Sequence, residues 1–314
     1  MSAGGGRRAI AAALGANLTI AAAKLVGFLV TASSALLAES VHSLADSGNQ
    51  VLLLVGQQRG AREADRRHPF GYGRERYFYS FVVALVLFSL GSLFALYEGV
   101  QKVREPHALT TPAVAIGILV FAILAEAYSF KTAIGESREG KGSGSWYAFI
   151  RHSKSPELPV VLLEDLAALI GLAFALLGVV LSLVLDAPRW DGIGTLAIGG
   201  LLAVVAAVLA VEMKGLLIGE SASRRAVEAI SAALVNGLTV TRVIHLRTMH
   251  LGPDELLVAA KISLAPGLAL PAVARAIDDA EARVRAVEPL ARVIYLEPDL
   301  DRGTLSASEP YGRS

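Results

Sequence analysis

The 314-residue chain is 54% hydrophobic and 18% charged, with 29 Lys and Arg against 28 Asp and Glu for a formal net charge of +1. Soluble domains carry about a quarter charged residues, so this composition, with a mean hydropathy of +0.54, points away from an ordinary soluble domain, and the near-neutral balance offers no basis for a nucleic-acid partner. The absence of cysteine excludes disulfides and thiolate metal sites, which leaves His, Asp and Glu to hold any metal.

A membrane-spanning helix needs about 20 mostly apolar residues. Six stretches qualify: 9–31, 34–56, 77–100, 111–134, 158–185 and 192–214. The first follows Arg7-Arg8 and carries Asn17 and Lys24, seven apart on one helical face. It lacks a small-residue cleavage site and reads as a retained helix. Lys24 is expected to snorkel or to pair with an acid of the bundle.

The second stretch places polar residues inside an apolar run. Glu39, His42, Asp46 and Asn49 fall at i, i+3, i+7 and i+10, so a helix puts them on one face. His42 and Asp46 are four apart, the spacing at which two side chains can hold one ion. Ionisable groups inside a membrane are costly and mark function. After this span comes a connector holding Arg59, Arg62, Arg66, Arg67, Arg74 and Arg76, with Asp65 and His68 beside turn-forming Pro69, Gly71 and Gly73. It reads either as an Arg-rich membrane-surface segment or as a peripheral cation site using Asp65 and His68.

The third span ends at Tyr97-Glu98, and the fourth carries Glu126, read as a partner for Lys24 or an arginine, or as a proton carrier. Residues 136–155 form a polar connection, rich in Gly and Ser around 141–145 and flexible by composition. The fifth span opens at Pro156 and Pro159 and reaches the adjacent acids Glu164 and Asp165. Neighbouring helical residues point roughly 100° apart, so at most one of these acids can face a given ion squarely. Small residues follow, including Ala167, Ala168, Gly171 and Gly178, and let helices approach closely. The sixth span has Gly194, Gly199 and Gly200 and no central acid, which suits packing.

From Gly219 the texture changes. An amphipathic helix at 221–234, strands at 240–246 and 256–264 around Gly252-Pro253-Asp254, a helix at 271–287 and a strand at 291–296 give an αββαβ order of about 80 residues, a small α+β domain of ferredoxin-like type. The domains are thus expected at 1–218 for a six-helix transmembrane domain, 219–300 for a cytoplasmic dimerisation domain and 301–314 for a disordered tail. Lys131, Arg138, Lys141, Arg151 and Lys154 follow the fourth span, whereas the turn at 31–33 has no charge and the loops at 103–110 and 186–191 have few. Positive charge stays on the cytoplasmic side, so both termini are expected inside; the membrane is expected to be the plasma (inner) membrane.

Three stretches resemble the cation diffusion facilitators: Ala38-Glu39-Ser40-Val41-His42-Ser43-Leu44-Ala45-Asp46, His68-Pro69-Phe70-Gly71-Tyr72-Gly73-Arg74-Glu75-Arg76 and Val243-Ile244-His245-Leu246-Arg247-Thr248. Leu163–Gly171 and Leu216–Ala222 are similar to the subgroup nearest zinc transporter 9. The resemblance implies a homodimeric secondary transporter that exports Zn²⁺ or a similar divalent ion in exchange for protons. It also implies a tetrahedral site with two ligands from the second span and two from the fifth. On this chain those are His42, Asp46 and Asp165; the fourth position is Val161, and Glu164 is the available substitute. At the peripheral positions Asp65 and His68 match, but Tyr72 stands where a later histidine would. In the tail domain His245 matches, while Lys261, Tyr295 and Glu297 replace further ligands, so a full binuclear zinc site is not expected there.

One imidazole with two or three carboxylates suits Zn²⁺ first, and fewer nitrogens favour Mn²⁺, Fe²⁺ or Co²⁺. Metal binding requires neutral His and ionised carboxylates and so releases protons. Glu39 and Asn49 then orient ligands or line the path. An enzyme is not expected, because the intramembrane polar set holds no nucleophile–base pair and no zinc-protease signature. The missing fourth ligand leaves open a non-transporting scaffold that partners another family member.

Overall fold

The computed structural model describes residues 3–141 and 144–299; Gly142 and Ser143 of the Gly/Ser-rich connection, and the tail expected from Asp301, lie outside the described residues. The chain divides into two compact units, one of Met1–Ala61 with Glu75–Lys214 and one of Arg62–Arg74 with Gly215–Ser314.

The first unit is helical: α1 (Ala3–Thr31), α2 (Ser34–Gly60), α3 (Glu75–Val86) continued by a π-helical segment (Leu87–Leu93) into α4 (Phe94–Arg104), then α5 (Pro112–Lys141), α6 (Trp146–His152), α7 (Glu157–Val184) and α8 (Arg189–Ile218). Among the described residues, Glu75–Arg104, Pro112–Arg138, Glu157–Val184 and Arg189–Ile218 are long and apolar enough to cross a membrane. The described apolar part of α1 is the shorter Asn17–Thr31. α2 has 27 residues, but its buried face carries Glu39, His42 and Asn49, which lowers its apolar content. Ser33 starts α2 by accepting a hydrogen bond from Leu36 N, and Ala32 reaches it through a left-handed turn at φ 56°.

Leu36, Val83, Leu87, Leu119, Leu172, Val179, Ile198, Leu202 and Leu209 fill the interior of this unit. Phe121, Leu124, Val184 and Val204 project outward, as expected where lipid is the solvent and helices associate by close packing. α2 packs against α1, α3 and α7, and α5 against α1 and α7. The connection expected to be flexible contains α6, capped by Ser145. The correction has a simple cause: Trp146 and Phe149 lie three apart, and Phe149 buries against Ala133 of α5 and Leu162 of α7.

The second unit contains α9 (Arg224–Leu234), β1 (Val240–Gly252), β2 (Glu255–Leu264), α10 (Leu270–Val287) and β3 (Val293–Asp299). The αββαβ order agrees with the periodicity. The sheet order is β1-β2-β3, with β1 and β2 antiparallel and β2 and β3 parallel from Leu257↔Val293 onward, the last pair joined through α10. Ile230, Leu234, Val258, Ile262, Ala280 and Val284 form its core. β1 runs past Leu246 to Gly252 because Thr248 and His250 turn inward despite their polarity; the Thr248 hydroxyl pairs with Ser221 Oγ at 2.7 Å. The Arg-rich connector packs on the end of this hairpin. A Cβ on Gly73 would lie 2.9 Å from Gly252 Cα, so the two backbones meet where only glycine fits.

Candidate metal-transport site

The α2 face forms as the spacing predicts. Glu39, His42 and Asn49 are buried and Asp46 is half-buried. His42 Nδ1 lies 3.5 Å from Asp46 Oδ1, outside good hydrogen-bond range. Both His42 ring nitrogens and Asp46 Oδ1 are buried and lack a hydrogen-bond partner among the described residues. The π segment passes alongside, and a Cβ on Gly91 would lie 3.8 Å from His42 Nδ1.

α7 supplies the acids. Buried Glu164 accepts from Asn49 Nδ2 at 2.7 Å through Oε1, and Asp165 accepts from Ser129 Oγ of α5 at 3.0 Å through Oδ2. The two acids diverge, as neighbours on a helix must. A cavity of about 20 Å³ lies among Asp46, Glu126, Glu164 and Asp165, with Asn17, Ser43 and Val161 also on its wall. That is room for about one water-sized occupant. Three helices, α2, α5 and α7, therefore bring four carboxylates to one small polar space.

The four expected ligands do not converge as their side chains stand. Among the described residues no three of His, Asp or Glu sit close enough to hold one ion, and His42 is not on the cavity wall. The cause is local: Glu164 and Asp165 are each drawn to a neutral donor on a different helix, and Val161 presents no donor atom. Lys24 does pair with an acid, and the acid is Glu39, at 3.1 Å with both side chains fully buried; Lys24 also donates to Ser43 at 2.7 Å. Gly171 gives Glu39 its room, since a Cβ there would stand 2.7 Å from Glu39 Oε1. Glu126 thus has no claim on Lys24 and instead lines the cavity.

At the periphery, Asp65 and His68 are near one another, 3.5 Å apart and about half exposed. Asp65 is occupied by its own turn, accepting from Arg67 N at 2.8 Å, His68 N at 2.7 Å and Tyr72 Oη at 2.6 Å. The Tyr72 hydroxyl and the His68 amide hold its carboxyl down at about 2. His245 is exposed on β1 and faces Lys261 across the strand pair. Lys261 bridges Glu297 and Asp299 at 3.1 Å each, and these bonds hold its ammonium above the usual lysine range. A fixed cation beside His245 opposes a second one.

Sequence reasoning missed Asp191. It is fully buried in the first turn of α8 and accepts from Ser33 Oγ at 2.8 Å, Ser34 N at 2.9 Å and Ser34 Oγ at 3.1 Å. Lys102 Nζ stands 3.9 Å away. An acid in a helix's first turn looks like an ordinary dipole-complementing residue, so nothing local marked its distant partners.

Residues 10–218 match the cation efflux transmembrane domain. The chain belongs to the cation efflux family. This cation efflux protein is 30% identical over 241 residues to the "Proton-coupled zinc antiporter SLC30A9, mitochondrial" of Xenopus laevis, covering 76% of the chain and 43% of that protein. It is 28% identical over 241 residues to the Homo sapiens protein of the same name, covering 76% and 42%. The "Metal tolerance protein C4" of Arabidopsis thaliana is 30% identical over 261 residues, 82% of this chain and 56% of that one. The cation efflux chain therefore spans about half the length of these relatives, and within the family it is similar to the zinc transporter 9 group.

Proposed function

We propose that this chain exports a divalent metal cation, Zn²⁺ first, by alternating access in exchange for protons, with His42, Asp46, Glu164 and Asp165 as the ion's ligands. The supporting observation is His42: an imidazole buried in α2 with both nitrogens unpartnered, next to an equally orphaned Asp46 oxygen. An unsatisfied buried polar group costs about 1–3 kcal/mol, so an ion held by one His42 nitrogen and the Asp46 oxygen relieves two of the three. From α7, Glu164 on leaving Asn49 or Asp165 on leaving Ser129 faces the ion squarely and completes a mixed nitrogen and oxygen set, with the other acid beside it. Zn²⁺ accepts such ligands tetrahedrally, with imidazole and carboxylate together. Binding displaces protons from His42 and the acids, and their return on the other face of the membrane couples the two flows. A relative named as a proton-coupled zinc antiporter is consistent with this reading. In the same proposal six helices span the membrane with both termini on one side, and the αββαβ unit pairs two copies.

The donor set also favours a second reading of the ion. A single nitrogen among carboxylates suits Mn²⁺, Fe²⁺ or Co²⁺.

Reconstituted vesicles loaded with a metal-sensing dye test both. Asp46→Ala is expected to abolish zinc uptake, and a wild-type rate in that variant would sink the site assignment. A proton gradient that neither drives nor opposes flux removes the coupling, and a preference for Mn²⁺ over Zn²⁺ selects the second ion.

A further inference from the structure

A second cavity, of about 510 Å³, sits beside the small carboxylate cavity in the same helical unit. The two follow the same three helices in successive turns. On α2 the wall runs from Asp46 through Gln50 to Leu53 and Gln57; on α5 from Glu126 and Ser129 to Ala133 and Glu136; on α7 from Asp165 through Val161 to Leu158 and Glu157. Gln50 and Val161 are the residues that line both spaces, one turn beyond Asp46 and one turn before Asp165. Polar and charged groups line part of the larger space. Arg76 pairs with Glu157 through Nε and Nη2, at 2.5 and 3.0 Å, Glu136 is exposed, and the buried Ser137 hydroxyl has no hydrogen-bond partner among the described residues.

We propose that the larger cavity is the vestibule of the ion site, and that Gln50 and Val161 form the barrier a divalent cation crosses between them, with the Gln50 amide oxygen as its ligand in transit. This rests on the transport reading above. Its chemistry follows from the pair. Val161 offers no lone pair, so a hydrated ion at this point must exchange waters for Gln50 oxygen on one side before reaching Asp46, Glu164 and Asp165. An amide oxygen is a weaker ligand than a carboxylate, which lets the ion leave again.

The chain contains no cysteine, so single thiols can be placed without background. Ile20→Cys reports on the inner cavity, whose wall includes Ile20, and Leu158→Cys on the vestibule. Purified protein is exposed to methanethiosulfonate-ethylammonium, a small cation, and modified thiols are counted by mass after denaturation. Leu158→Cys is expected to react at least about tenfold faster than Ile20→Cys, and adding Gln50→Ala and Val161→Ala to raise the Ile20→Cys rate about tenfold with the Leu158→Cys rate unchanged, a tenfold rate being a modest change in barrier. Equal reaction of the two thiols in the parent overturns the proposal. So does an Ile20→Cys rate indifferent to Gln50 and Val161, or a rise in both rates together, which signals general loosening. Zinc binding by equilibrium dialysis on the same proteins is separate: binding that survives Asp46→Ala defeats the site assignment while the thiol rates still decide the barrier.

Discussion

Replacing Lys24 by Met tests the buried charge pair directly. Lys24 Nζ and Glu39 Oε2 are 3.1 Å apart with neither side chain exposed, and Glu39 Oε1 already lacks a hydrogen bond among the described residues. Methionine matches the length of the lysine stem but leaves the Glu39 carboxylate without its counter-charge. Breaking a buried pair on one side costs about 3–5 kcal/mol, whereas replacing both partners by uncharged groups is often near neutral. Lys24→Met is therefore expected to lose about 3–5 kcal/mol, and Glu39→Gln, which strands the ammonium, a similar amount. The double variant should lie closer to wild type than either single, which requires a coupling larger than one single loss, at least about 3–5 kcal/mol. The assay is reversible unfolding of purified protein in mixed micelles at rising denaturing-detergent fraction, followed by far-ultraviolet circular dichroism. A Lys24→Met curve within about 1 kcal/mol of wild type, or additive single losses, would refute the reasoning that this pair is closed to water and mutually dependent.

Three further outcomes follow from the geometry. Asp191→Asn keeps the shape but turns an amide toward the hydroxyl and amide donors of Ser33 and Ser34, and the same unfolding assay should show a loss of about 2–4 kcal/mol. Gly171→Ala drives a methyl into Glu39 Oε1 at 2.7 Å and should cost about 1–3 kcal/mol; Gly200→Ala, with nothing within 4 Å, should be neutral or slightly stabilising. Tyr72→Phe removes the leading cause of the low Asp65 value, about 2, so carboxyl NMR should show its midpoint rising toward the ordinary aspartate value. The sign follows from the depression: Asp65 favours the folded turn above the unfolded aspartate pKa, and that contribution fades as pH falls toward about 2.

The parts of this molecule readable from its sequence are those where chemistry contrasts with background. His42 and Asp46 stand out because polar residues are rare in apolar helices, and the αββαβ unit because its period changes after Gly219. Long-range partners carry no such mark. Nothing in the sequence joins Ser129 to Asp165 or Ser33 to Asp191, since those choices arise when helices far apart in the chain dock. In the connection at 136–155, Gly and Ser content masks the Trp146/Phe149 spacing that seats α6. Charge in an apolar helix offers Glu126 as a partner for Lys24 or an arginine, or as a proton carrier, but does not say which acid Lys24 meets; Glu39 lies across the adjacent α1–α2 contact and takes it.

The π segment sets the phase of the third span. Its inward residues Leu87, Gly91, Ala95 and Gly99 are buried at a constant interval of four. An α-helix advances about 100° per residue, so three such steps carry a side chain roughly 120° around the axis, enough to swing Gly99 from the bundle toward lipid. The wider π turn absorbs part of that drift. Removing one residue from Leu87–Leu93 is therefore not a local trim. It rotates everything after it, taking Gly91 from His42 and Ser92 Oγ from the Gly199 carbonyl it meets at 2.9 Å, so the span's outer half would present a different set of side chains to the same neighbours.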